Sequence, residues 1–221
     1  MDAAGRTSFY GTTVGKKVVM AITGVILAGF LVGHVLGNFE LFGGPERINE
    51  YAHFLHHTAA PLLWTARVVL LASILLHIRA TEQLYRLKAR ARPVPYQKKS
   101  NRGARIYSLI MLYSGIALAL FIVYHILHFT TGTLHFDFIP DDVFHNVTSA
   151  FQHWWVALIY LVAMAFLAMH LNHGLWSMTQ SIGISHPKYT AILKPLAVVV
   201  ALLIAGGFAL VPILVLGGLV R

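Results

Sequence analysis

PLAVVVALLIAGGFALVPILVLGGLV, Pro195–Val220, contains no charged side chain and no side chain that hydrogen-bonds strongly. About 20 such residues cross a bilayer as a helix, which satisfies its own backbone groups where no water can. Four comparable runs precede it, at about Val18–Phe39, Pro61–Leu84, Ile106–Thr130 and Trp154–Gln180. All five are too long and too continuously apolar for barrel strands, which alternate. The rest of the composition agrees: 57% of the residues are hydrophobic and 11% charged, where a soluble domain carries about a quarter charged. The sequence therefore predicts an all-α membrane protein, one five-transmembrane-helix bundle over residues 1–221, with no internal repeat or low-complexity segment. The first run follows a polar stretch of 17 residues. It is longer than a signal-peptide core, so it is predicted to be a retained span.

The net charge of +9 would suit nucleic acid if it formed a patch, but it is sorted by loop. Arg6, Lys16 and Lys17 precede the first span. Arg86, Lys88, Arg90, Arg92, Lys98, Lys99, Arg102 and Arg105 lie between the second and third, and Lys188 and Lys194 between the fourth and fifth. The other loops carry Glu40, Glu46, Glu50, Asp137, Asp141 and Asp142 against Arg47 and the terminal Arg221. By the positive-inside rule the N-terminus is cytoplasmic and the C-terminus outside. The basic loop is first a topology signal, and it can also dock a cytoplasmic partner or anionic lipid. No nucleic-acid role is expected.

There is no Cys among the 221 residues, which excludes disulfides, thiolate ligands and covalently attached c-type haem. There are 13 His. An ionisable group within a span is costly and points to function. With the spans oriented as above, His34 and His125 lie in the outer halves of the first and third spans. His77 and His170 lie in the inner halves of the second and fourth. Each residue advances a helix by about 1.5 Å, so each pair sits at one height. Two imidazoles at one height on facing helices can supply both axial nitrogens of a haem iron, a ligation that leaves no open position for oxygen and suits electron transfer. The expectation is two haem b, with His34/His125 holding the outer and His77/His170 the inner. A lone intramembrane His is commonly a helix–helix hydrogen bonder; four, one per helix at two matched depths, make a different pattern. A zinc site would want three or four ligands at one depth.

Other polar residues fall near these histidines. Arg67 and Arg79 are candidate partners for haem propionates, by the affinity of Arg for carboxylates, or would snorkel to lipid headgroups. His128 and His173 each follow a candidate ligand by three residues and are alternatives to it by spacing. Gly29, Gly33 and Gly37 recur on one face beside His34, a smooth surface for a porphyrin or another helix. The outer loop adds His53, His56, His57, Trp64 and His153, where Trp is ordinarily an interface anchor.

Several motifs run in order along the chain: G-K-K-x-x-M-A-x-T-G (Gly15–Gly24), F-L-V-G-H-V-L-G-N (Phe30–Asn38), N-E-Y-A-H (Asn49–His53), L-L-H (Leu75–His77), A-R-P (Ala91–Pro93) with Tyr96, S-G (Ser114, Gly115), H-x-x-H-F (His125–Phe129), H-L-N-H-G-L-W-S (His170–Ser177) and H-P-K-Y-T (His186–Thr190). Together they resemble the cytochrome b membrane-anchor subunit of bacterial two-haem succinate dehydrogenases and fumarate reductases, over nearly the whole chain. The resemblance implies a multi-pass subunit of the bacterial cytoplasmic membrane. It would anchor a flavoprotein and an iron–sulfur subunit on the cytoplasmic face, with succinate oxidised on the flavoprotein as part of the tricarboxylic acid cycle. Electrons would pass from iron–sulfur clusters to the inner haem, the outer haem and a quinone, menaquinone in particular. The family's four ligands fall on His34, His77, His125 and His170. At His173 some members carry Asn. Complexes of this kind can assemble further, for example as trimers.

The quinone site stays open between two groups, Arg79, Trp176 and Ser177 toward the cytoplasm and Glu50, His57 and Trp64 toward the outside. A quinone on the outer side would make turnover move charge across the membrane. Competing readings are a quinol:fumarate reductase anchor, the cytochrome b of a formate dehydrogenase or hydrogenase, and a haem-free transporter or channel. The last would want broken helices or buried carboxylates.

Overall fold

A computed structural model describes residues 8–91, 102–184 and 186–221, with residues 102–108 described by their backbone alone. Regular structure among the described residues is entirely helical. It comprises α1 (Thr13–Phe39), α2 (Pro45–His53), α3 (Ala60–Arg90), α4 (Arg102–His125), α5 (Val143–Gln152), α6 (Trp154–Ser181) and α7 (Pro187–Leu216). Five of these, α1, α3, α4, α6 and α7, are long and apolar enough to cross a membrane. The expected all-α architecture with five spans is therefore present. Many large apolar side chains point outward, Leu62, Val68, Leu71, Leu75 and Leu120 among them, as lipid-facing positions require.

The span boundaries differ where local chemistry outweighs hydropathy. α1 starts at Thr13, before the apolar run, because the Thr12 hydroxyl accepts from the Gly15 N–H and caps the first turn. α3 continues past Leu84 to Arg90, and Glu82 pairs with both Arg79 and Arg86 along this polar turn. α7 starts at Pro187, eight residues before the predicted Pro195. His186 caps it through its ring Nδ1, which accepts from the Lys188 N–H at 3.2 Å, and Pro187 stands where no backbone donor is needed. Pro195 then lies inside the helix, where one missing hydrogen bond is tolerated by a packed span. α7 ends at Leu216 rather than Val220, because Gly218 takes a left-handed φ of +72°.

α6 is the central span, packing on α7, α4 and α1. Ala163, Met164, Leu167 and Leu171 meet Ala201, Ile204 and Ala205 in one core, joined by Ala28 and Leu31 of α1. α3 packs on α1, and α4 packs on α6. Among the described residues, α3 makes no more than isolated approaches to α4 or α6. The bundle thus has an α1/α3 half and an α4/α6 half, with α7 behind.

Two short helices, α2 and α5, close the end that the charge reading puts outside. Leu41, Ile48, Ala150 and Phe151 bury there against Val156, Ala157, Tyr160, Val211 and Val215. Asn49 ties the two together: its amide N–H donates to Asp142 Oδ1 at 3.0 Å, and its carbonyl accepts from the Phe144 N–H at 3.0 Å. The backbone N–H of His145, and then the Asn49 amide, hold the Asp142 carboxyl below its ordinary value of 3.8. A depressed carboxyl contributes stability that is complete above its unfolded value and lost as pH falls through the folded one. The cap should therefore loosen below pH 3.8. Asn49→Ala should bring the same loosening at neutral pH, at a cost of about 0.5–1.5 kcal/mol per lost hydrogen bond, since water reaches the partners. Thermal unfolding in detergent at several pH values checks both, and an Asn49→Ala protein indistinguishable from wild type would show the tie to be idle.

Candidate functional site: two histidine pairs between the helix halves

Four of the six histidines within the spans meet in two pairs, each joining the α1/α3 half to the α4/α6 half. His77 of α3 faces His170 of α6, ring centroids 6.4 Å apart and planes at 59°. His34 of α1 faces His125 of α4 at 5.9 Å and 75°. The imidazoles therefore bridge regions where the helix backbones stay apart.

The pair that the charge reading makes the inner one, His77 with His170, is held by one device used twice. The Thr23 hydroxyl donates to the carbonyls of Val19 and Met20, at 2.8 and 3.1 Å. Its oxygen is then an acceptor, 3.1 Å from His77 Nδ1, and the Met20 carbonyl lies 3.2 Å from the same nitrogen. A carbonyl only accepts, so His77 Nδ1 carries the proton and Nε2 keeps its lone pair. On α4 the Ser114 hydroxyl donates to the Ile110 carbonyl at 2.6 Å and accepts from His170 Nδ1 at 3.1 Å. The residue after each hydroxyl is a glycine. A Cβ on Gly24 would stand 3.7 Å from His77 Cε1, and one on Gly115 would stand 3.5 Å from His170 Cε1. A methyl would already touch the ring and a longer side chain would displace it. Thr23-Gly24 and Ser114-Gly115 are thus matching seats, each receiving a histidine from the neighbouring helix with its Nε2 left free as a base.

The outer pair is set differently. His34 stacks on Phe30 at 5.2 Å and meets Phe208 at 5.4 Å. His125 Nδ1 lies 3.3 Å from the Tyr160 hydroxyl, which lies 2.9 Å from His128 Nδ1. α4 passes at this point into a π-helical turn, Ile126–Thr130, a widening frequently found at functional sites. That turn buries His128 between the rings of Tyr124 and His135. Of the two histidines in H-x-x-H-F, His125 is the one against His34. Of His170 and His173, His170 is the one against His77.

The spacing can be tested against a metal ion. An imidazole nitrogen about 2 Å from a metal, with its ring centroid about 1.1 Å further back, puts two trans rings about 6.2 Å apart. The observed 5.9 and 6.4 Å bracket that value. Among the described residues no group of three or more His, Cys, Asp or Glu is placed to hold a metal. A pair suits an ion whose remaining ligands come from elsewhere, as a porphyrin supplies four. For His77 and His170, imidazoles with Nδ1 engaged and Nε2 left as the base fit the same group.

The remaining expected residues lie as follows. The Arg67 guanidinium sits 4.8 Å over the Trp64 ring. Arg79 is exposed and pairs with Glu82 at 2.9 Å. Lys194 lies 4.9 Å over the ring of Trp176, and Ser177 accepts through its carbonyl from Ser181. His57 packs on His53 at 4.2 Å, and Glu50 is exposed on α2. The glycine stripe divides: a Cβ at Gly29 or Gly33 would meet open space, whereas one at Gly37 would press on Tyr51. Arg6, Arg92 to Lys99 with Tyr96, and the side chains of Arg102 and Arg105 lie outside the described residues. Thr23, Ser114 and Tyr160 have no assigned part in the sequence reading. The first two were visible there only as the hydroxyl–glycine dipeptides T-G and S-G.

No protein-family model, curated protein or solved structure matches this chain.

Proposed function

We propose that this chain is a two-haem cytochrome b that anchors a succinate:quinone oxidoreductase in the bacterial cytoplasmic membrane and passes electrons from its iron–sulfur subunit to quinone. One observation supports this most: two histidine pairs, with ring centroids 5.9 and 6.4 Å apart, stand at different levels of one helical bundle. In this reading His34 with His125 holds the outer haem b and His77 with His170 the inner. Bound there, the haems would supply one-electron transfer along the bundle. The chain's own part is to present neutral imidazoles of fixed tautomer, and the Thr23 and Ser114 hydroxyls do so for the inner pair. The flavoprotein and iron–sulfur partners, the dicarboxylate chemistry and the quinone rest on the ordered motifs from Gly15 to Thr190. A fumarate-reducing complex would ask the same of this chain, because its reaction is the reverse.

The experiment is spectroscopic. The purified protein should show a reduced-minus-oxidised b-type spectrum, and its pyridine haemochrome should give two haems per chain. Absence of haem from protein made in a haem-replete host would overturn the reading. Co-purification of a succinate-oxidising flavoprotein tests the assignment to this complex.

A further inference from the structure

At the opposite end of the bundle from α2 and α5, the start of α1 and the last turns of α3 frame an open cavity of about 210 Å³ lined by Lys16, Gln83, Arg86, Leu87 and Arg90. Three of its five lining residues are cationic and none is acidic. Lys16 is only 9% exposed. Its ammonium donates to the carbonyls of Tyr10 and Gly11, at 2.8 and 2.9 Å. Among the described residues no carboxylate pairs with it. The ammonium also lies 5.3 Å from the centre of the Tyr10 ring, so its partners are all neutral groups and its third donor can take an anion. The Gln83 side-chain oxygen, in the same lining, is buried and has no hydrogen-bond partner. Oxygen and nitrogen of an amide are interchangeable by a flip; turned over, this amide becomes a donor. Arg86 is steadied on one side by Glu82, and a guanidinium has five N–H donors to divide between two anions.

We propose that this cavity binds the phosphate of an anionic phospholipid headgroup. The site offers an ammonium, two guanidinium groups and an amide, the donor set for phosphate oxygens. Its volume is several times the roughly 30 Å³ of one water, room for a tetrahedral anion. Its place decides between a lipid and a soluble phosphate. The cavity lies at the shared end of two helices long and apolar enough to cross a membrane, where lipid headgroups would stand around a bundle so placed. Leu87, Tyr85, Phe9 and Val14 on the adjoining turns leave apolar side chains exposed, surface suited to acyl chains and the interface. By the charge reading this is the cytoplasmic leaflet, whose anionic lipids are drawn to such basic sites. The inference is independent of haem.

The full chain, purified and reconstituted into phosphatidylcholine vesicles containing about one-fifth phosphatidylglycerol, tests it. After re-extraction in mild detergent, the phosphatidylglycerol retained per protein is counted by native mass spectrometry. Wild type should retain about one molecule, and Arg86→Gln and Arg90→Gln should each weaken retention about fivefold, the double variant about twenty-five-fold. Lys16→Met should act in the same direction. The arginine variants, on an exposed helix end, carry the test should that protein fail to fold. Millimolar inorganic phosphate should leave the bound lipid in place. Equal retention by the double variant, or displacement by inorganic phosphate as readily as by lipid, would overturn the proposal. So would loss of retention only when a cytoplasmic partner subunit is bound, which would make the cavity part of a protein interface.

Discussion

If the chain holds two haems as proposed, His170→Ala should halve the haem content of the purified protein, removing one b-type centre and leaving the other with its own potential. His77→Ala should remove the same centre, and His34→Ala or His125→Ala the other. The grouping follows from which rings face each other: 6.4 Å separates His77 from His170, and 5.9 Å separates His34 from His125. Each variant removes one of the two imidazoles that would hold a haem, so that haem would be bound less tightly and its spectrum would change even where some is retained. The two pairs lie at different depths and share no ligand, so the effects should separate. Redox titration of each variant reads the number of one-electron steps. Loss of both centres from a folded His170→Ala protein, or of neither, would break the assignment of pairs. The fold should survive, because none of the four rings belongs to the buried apolar core of α6 and α7.

Ser114→Ala should have the next largest effect, and it tests the seat rather than the ligand. Ser114 is fully buried and accepts from His170 Nδ1. Alanine deletes the acceptor and removes no atom but the hydroxyl oxygen. The stranded Nδ1–H then costs about 1–3 kcal/mol, a cost the ring can escape by rotating or changing tautomer. Removing a group that orients a metal-bound imidazole typically weakens the metal site ten- to a hundredfold. The inner haem should therefore be retained that much less tightly. Its midpoint potential should rise, because an imidazole that no longer donates from Nδ1 is a poorer electron donor to iron. Thr23→Val should move the same centre less, because the Met20 carbonyl still accepts from His77 Nδ1 at 3.2 Å. Ser114→Thr and Thr23→Ser keep the hydroxyl and should restore the wild-type potential. A merely structural role would shift both haems together, and that result would remove the seats from the mechanism.

The sequence by itself determined the class of fold and the depth of each histidine. Both are one-dimensional properties: an apolar run of sufficient length must be a helix in a bilayer, and a constant rise converts residue number into height. Helix ends set by caps were less legible. Thr12 and His186 each begin a span outside its apolar run, because a cap satisfies backbone donors and hydropathy does not register that. The tertiary structure decided everything that depends on rotation about a helix axis. In H-x-x-H-F the two histidines differ by less than one turn, and nothing in their spacing says which meets His34. The π-helical turn Ile126–Thr130 and the rings of Tyr124, His135 and Tyr160 decide it, by taking His128 into their own cluster. The seats for the inner pair are decided likewise. A threonine or serine followed by glycine is an ordinary dipeptide until a neighbouring helix brings an imidazole onto it. Thr23 lies 54 residues from His77, and Ser114 lies 56 from His170, and only the packing of α3 on α1 and of α4 on α6 closes those distances.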